Sequence, residues 1–151
     1  MRNQTFHIHS LAELSEFSKF FVSQLSEKTC AIIFLRGTLG AGKTALVKEI
    51  GKSLGITHPI QSPTYTRVQE YALPKHPAGN LIHMDFYQIT DSERIESGGY
   101  LEIFQRRKGL FFVEWPDAVL PYLPRLQIPE ENIFEVSIEL GDDDERMISI
   151  L

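Results

Sequence analysis

The first chemical signal is the run Gly37-Thr38-Leu39-Gly40-Ala41-Gly42-Lys43-Thr44, which fits G-x-x-x-x-G-K-[ST] and follows the apolar run Cys30-Ala31-Ile32-Ile33-Phe34-Leu35. An apolar run of this kind reads as a buried strand, and a helix is expected to begin near Lys43. Gly37, Gly40 and Gly42 allow the backbone conformations that turn consecutive N–H groups inward around an anion. The helix start aims its free N–H groups and positive dipole end at the same place. Lys43 adds a full charge, and the Thr44 hydroxyl can ligate magnesium. These features define a nucleoside triphosphate pocket. Its nucleotide-binding residues are Thr38, Leu39, Gly40, Ala41, Gly42, Lys43 and Thr44, and Ala45 is not counted. Lys43 is also placed in the catalytic set.

Two further apolar runs end in carboxylates: Leu81-Ile82-His83-Met84-Asp85 and Leu110-Phe111-Phe112-Val113-Glu114. In open α/β sheets ligands lie beyond the carboxyl ends of the strands, so both acids are expected beside the phosphate loop. Triphosphate hydrolysis needs one acid near the metal and a second polar group to orient water. Asp85 is assigned to the metal with Thr44, and Glu114 to orienting or deprotonating water. The sequence allows those two roles to be exchanged, so Thr44, Asp85 and Glu114 together form the candidate metal set.

The hydroxyl-rich stretch Ser62-Pro63-Thr64-Tyr65-Thr66 stands where a nucleotide-sensing loop would, with Ser62, Thr64 and Thr66 as its candidate switch residues. An ordered turn would explain the same composition. Trp115 follows Glu114 and can lie against the nucleotide, against a partner, or in ordinary packing. Arg67, Arg106 and Arg107 are the cations that could face a transition state or a partner, although a solvated helix face accounts for Arg106-Arg107-Lys108. His7 and His9 would share one side of a strand, with no neighbouring Cys or acid in sequence to complete a metal set.

The elements that must position these groups are legible in outline. Thr5 to Ile8 reads as a short strand, and Ser10 with Glu13 forms an S-x-x-E box before Leu11, Leu14, Phe17, Phe21 and Leu25 at helical spacing. A helix over Lys43 to about Leu54 is closed by Gly55 and Pro59. A strand ends near Tyr71, a hairpin-like loop covers residues 72–80, and helix-forming segments surround residues 91–96 and 100–107. Ile133 to Leu140 alternates at period two, breaks at Gly141-Asp142-Asp143-Asp144 and resumes at Arg146, a terminal antiparallel hairpin. The expected architecture is an α/β three-layer sandwich with parallel central strands and antiparallel additions, resembling a P-loop NTPase.

At 151 residues the chain suits one domain spanning residues 1–151. Its formal net charge of −5 argues against gripping nucleic acid through a whole-surface field. The lone Cys30 permits no internal disulfide, and neither a signal-like leader nor a membrane-length apolar run appears, so a cytoplasmic protein without membrane contact is expected.

The Gly37 to Thr44 loop, Ser62-Pro63-Thr64-Tyr65-Thr66, His83-Met84-Asp85-Phe86-Tyr87, Glu96-Ser97-Gly98-Gly99-Tyr100 and Val113-Glu114-Trp115, in this order, resemble the bacterial TsaE (YjeE) family across nearly the whole chain. The resemblance implies a weak ATPase using ATP and magnesium. It would act in making N6-threonylcarbamoyladenosine (t6A) in tRNA with the partners TsaD and TsaB, reaching tRNA only through that complex. It assigns phosphate and magnesium to Lys43 and Thr44, completion of the metal site to Asp85, support of hydrolysis to Glu114, and a place near the nucleotide to Trp115. Thr38 departs from the family's usual Asp and Gln88 from its usual Arg. Two other functions share the phosphate loop: a small-molecule kinase, which needs an acceptor pocket and an arginine-bearing lid, and a nucleotide-dependent interaction module without hydrolysis. No N-K-x-D element for guanine is present, which favours ATP.

Overall fold

A strand apolar at every position must be covered on both faces, and Cys30–Leu35 meets that condition at the middle of the sheet. The computed structural model describes residues 3–63 and 66–151. Along the chain lie β1 (Gln4–Ile8), α1 (Leu11–Leu25), β2 (Cys30–Arg36), α2 (Lys43–Ser53), β3 (Val68–Ala72), β4 (Asn80–Asp85), α3 (Ser92–Ser97), α4 (Tyr100–Gln105), β5 (Gly109–Glu114), α5 (Leu123–Leu126), β6 (Ile133–Leu140) and β7 (Arg146–Ile150). Among the described residues the strands form one seven-stranded sheet in the order β1-β7-β6-β2-β5-β4-β3. β2 runs parallel to β5 and β6, and β4 parallel to β5, while β3·β4, β6·β7 and β1·β7 are antiparallel. The mixed sheet with a parallel centre and a terminal hairpin is the expected one.

Side-chain alternation along these strands sorts the core into two layers. Ala31, Ile33 and Leu35 of β2, with Leu110 and Phe112 of β5, meet Phe17, Phe21 and Leu25 of α1 and Leu46, Val47 and Ile50 of α2. Ile32 and Phe34, with Phe111 and Val113, meet Ile95 of α3, Leu101 and Phe104 of α4, and Leu126 of α5. The result is helices on both faces of the sheet. Residues 116–132, for which the sequence offered no pattern, form short 3-10 turns around α5 and close the second layer with Ala118, Val119 and Tyr122.

Helix α1 departs from its sequence pattern at both levels of detail. Leu11 stays 77% exposed, so the buried stripe begins deeper, with Phe17. The Ser10 side chain accepts the Glu13 N–H at 3.2 Å as expected, but Glu13 Oε2 reaches past Ser10 to the N–H of His9 at 2.6 Å. Ser10→Ala is expected to cost about 1 kcal/mol of stability, read as a shift in the denaturation midpoint at constant slope. No helix among the described residues is long and apolar enough to cross a membrane.

The register delivers the site. Leu35 pairs with Glu114 and Glu114 with Asp85, so both acids emerge level with the end of β2 where the glycine-rich loop begins.

Candidate nucleotide site

The loop leaving β2 is confined by backbone. A Cβ on Gly37 would lie 2.7 Å from the carbonyl oxygen of Ile138 on β6, and the residue sits at φ 154°. Gly42, at φ 111°, turns the chain into α2 as its N-cap. Because the obstacle at Gly37 is a backbone atom of a neighbouring strand, Gly37→Ala should destabilise the protein by about 2 kcal/mol, measurable by urea unfolding.

Lys43 opens α2 and folds back over the loop. Its Nζ donates to the carbonyls of Gly37 at 2.5 Å and Thr38 at 3.1 Å, and it stands 4.2 Å from the centroid of the Trp115 ring. Burial pushes the Lys43 ammonium below the ordinary lysine range, and the carboxylates of Glu114 and Asp85 pull it partly back. One residue on, the Thr44 hydroxyl donates to Glu114, 3.1 Å from Oε2 and 3.4 Å from Oε1. Glu114 is 4% exposed, and its Oε2 is also met at 2.5 Å by Nε2 of the fully buried His83.

Asp85 ends the adjacent strand β4 and is also 4% exposed. Its Oδ1 accepts the Tyr87 N–H at 2.9 Å, and its own N–H donates to the Arg67 carbonyl at 2.9 Å. Arg67 in turn donates from Nη1 to the Tyr87 carbonyl at 2.7 Å, so this arginine ties the strand end to the segment before β3. It does not line the cleft.

The cleft itself, about 260 Å³, is lined by Leu39, Gly40, Gly42, Lys43, Thr44, Ala45, Ser62, Asp85, Tyr87, Glu114 and Trp115. Most of the sequence-predicted set therefore converges. Thr38 contributes its carbonyl to Lys43 and is not part of the lining, while Ala41 is buried beneath the loop. Ser62 reaches the cleft, whereas Thr66 is exposed away from it and accepts a hydrogen bond from Gln69 at 3.2 Å. Thr64 lies outside the described residues. Trp115, at φ 54°, packs its ring against Tyr87 with centroids 5.1 Å apart, and so forms one wall of the cleft. Arg106 pairs with Glu70 at 2.8 Å and Arg107 with Gln127 at 2.9 Å, and neither lines the cleft.

A second hollow of about 230 Å³ shares Gly42 and Ala45 with the first and is walled by Ile8, Leu11, Leu14, Ala41, Leu46, Ile148 and Arg146, among others. Arg146 Nε donates to the Ala41 carbonyl at 3.1 Å, fastening the terminal hairpin to the loop. Sequence reasoning missed this wall because it sets residues from the two ends of the chain, brought together by the β1·β7 pairing, against Ala41 and Leu46 from the loop and α2. It also missed His83 as a functional group. Strand periodicity could have found it, since residues two apart share a face and His83 precedes Asp85 by two. Beside the hollow, Glu145 supplies the acid that the sequence around His7 and His9 lacked, with Oε1 at 2.6 Å from His7 and 3.5 Å from His9. No group of three or more His, Cys, Asp or Glu among the described residues is arranged to hold a metal.

Residues 8–148 match the family model described as threonylcarbamoyl adenosine biosynthesis protein TsaE. A tRNA threonylcarbamoyladenosine biosynthesis protein TsaE from Aquifex aeolicus is 38% identical over 115 residues, 74% of this chain and 78% of the relative. The protein of the same description from Rickettsia prowazekii is 33% identical over 144 residues, 95% of this chain and 91% of its own. The crystal structure of Bacillus subtilis YdiB superposes with a TM-score of 0.66 at 25% identity, covering 99% of this chain and 84% of that one. With the family model matched from β1 to β7, one relative similar over 91% of its own length and the fold shared with YdiB, this chain belongs to the TsaE family.

Proposed function

We propose that this protein binds ATP with magnesium in the cleft between α2 and the ends of β4 and β5, and hydrolyses it in support of tRNA t6A formation. Turnover is slow for the isolated chain and rises when TsaD and TsaB dock. The observation that carries the reading is the contact of the Thr44 hydroxyl with the Glu114 carboxylate at 3.1 Å, beside the buried Lys43 at the start of a helix. Family membership supports the pathway.

Magnesium fits this donor set. A hard cation takes oxygen ligands and keeps several for water and substrate, and Thr44 and Glu114 offer a hydroxyl and a carboxylate without a dedicated all-protein cage. When bound, it neutralises charge on the phosphate oxygens. The strand order favours Glu114 over Asp85 for the metal, because β5 is hydrogen-bonded directly to β2 and β4 lies one strand further out. Asp85 then takes the water-orienting role.

The chain's own groups do the rest. Lys43 leaves the carbonyls of Gly37 and Thr38 for the phosphates, and the N–H groups at the start of α2 face the same oxygens. The apolar hollow walled by β1, β7 and α1 residues receives the base, since it adjoins the cleft and shares Gly42 and Ala45 with it. The arginines expected of a kinase lid stand away from the cleft, which disfavours phosphoryl transfer to a small acceptor.

The test is release of ADP and phosphate by the purified protein with and without TsaD and TsaB, repeated with Lys43→Ala and Glu114→Ala. Partner-stimulated hydrolysis lost in both variants supports the reading. Tight nucleotide binding with no phosphate release under any condition overturns hydrolysis, and phosphorylation of an added metabolite points to a kinase.

A further inference from the structure

His83 is fully buried, and among the described residues its side chain makes one hydrogen bond, from Nε2 to Glu114 Oε2 at 2.5 Å. Nδ1, equally buried, has no partner among the described residues. A histidine in such a place leaves one ring nitrogen unsatisfied where an aliphatic side chain would leave none, so packing does not explain it. What the ring does supply is one N–H, aimed at the acid that also meets Thr44. We propose that His83 is a positioning residue for Glu114: its Nε2–H holds Oε2 in place, so that the carboxylate stays facing Thr44 ready for magnesium. This inference rests on the magnesium-nucleotide reading of the cleft.

The geometry accounts for the need. Glu114 stands at the end of β5, where the chain turns at Trp115 with φ 54°, and its carboxylate has rotational freedom about the side-chain bonds. Phe112 precedes it on the same face of β5 and pairs with His83, so the imidazole sits one step below the acid on the neighbouring strand. Thr44 reaches the carboxylate from α2 and His83 from β4, so the acid is held from two elements. With Nδ1 facing no acceptor, the tautomer that places the hydrogen on Nε2 is the one that leaves no buried N–H unpaired. Partners of this kind, one bond removed from a metal, commonly set its affinity by fixing the ligand's orientation.

Two measurements test this. In protein labelled with 15N at histidine, the His83 ring should show a protonated Nε2 and an unprotonated Nδ1, with the Nε2–H proton far downfield and moving upfield in Glu114→Gln. The second is calorimetric titration of a non-hydrolysable ATP analogue at varied magnesium. His83→Leu should raise the magnesium needed for half-maximal binding by about tenfold, while affinity in EDTA stays within about twofold. His83→Gln, whose amide can donate from the position of Nε2, should recover most of the loss. In a Glu114→Gln background, His83→Leu should add no further change, because the bond it removes no longer positions a carboxylate. A His83 protonated on Nδ1, an unaltered magnesium requirement in His83→Leu, or an equal loss in the Glu114→Gln background would overturn the proposal. A wild-type protein that binds the analogue without any effect of magnesium would instead overturn the reading on which it rests. The NMR result stands independently of whether His83→Leu folds.

Discussion

Lys43→Met is expected to weaken binding of magnesium-ATP by roughly 100-fold while leaving the fold at least as stable as the wild type. The binding loss is that of charge-assisted contacts to phosphate, about 3 kcal/mol. The stability result has a different cause. Lys43 holds an ammonium at 5% exposure against two backbone carbonyls and an indole ring, and methionine keeps the stem without the desolvated charge. Isothermal titration gives the first quantity and denaturant unfolding the second.

The direction of the Lys43 shift also fixes a pH dependence. Its folded-state pKa is lowered, so between that lowered value and the ordinary lysine range the native state binds fewer protons than the unfolded chain. The Lys43 contribution to stability therefore rises with pH through that window, and this part of the slope is absent in Lys43→Met. Phosphates would favour the charged ammonium, so nucleotide binding is expected to take up protons there, with affinity falling as pH rises through the lowered pKa. Binding enthalpies measured in two buffers of different ionisation enthalpy report the uptake. Trp115 is expected to give an optical signal for the same event, because Lys43 lies 4.2 Å from its ring centroid and lines the cleft with it.

Glu114→Gln is expected to lower the rate of ATP hydrolysis by two to three orders of magnitude, about 3 to 4 kcal/mol of transition-state stabilisation. The amide keeps the size of the side chain and can still accept from Thr44, but it no longer offers a negative oxygen where the metal and the phosphates meet. Nucleotide binding without magnesium is expected to change little. Asp85→Asn provides the contrast: if Asp85 orients water, hydrolysis falls while the magnesium requirement holds. Should Asp85→Asn carry the larger magnesium defect, the two acids hold the opposite roles. Steady-state phosphate release over a magnesium series separates the cases.

The glycine-rich loop, its strand and its helix were legible because they are local: an apolar run, glycines at fixed spacing and Lys43-Thr44 lie within one stretch of chain. Asp85 and Glu114 were legible one at a time, as acids closing apolar strands, and the rule that ligands gather at the carboxyl ends of parallel strands predicted that they would meet. Their division of labour was not legible. The division proposed here rests on which strand is hydrogen-bonded to β2, and strand order is a property of the assembled sheet. The same holds for Arg67, whose guanidinium serves the backbone at the end of β4, and for Arg106, which pairs with Glu70 away from the cleft.

By itself, then, the sequence determined the glycine-rich loop between strand and helix, the alternation of strands and helices and which acids close the apolar strands, because propensity, periodicity and motif spacing act over a few residues. Only the tertiary structure decided that His83 meets Glu114, that Glu145 meets His7, and that Arg146 fastens the far hairpin to the loop at Ala41. Each of those contacts joins residues from separate elements, and a hydrogen bond between distant positions exists only once packing and register have fixed which side chains share a face.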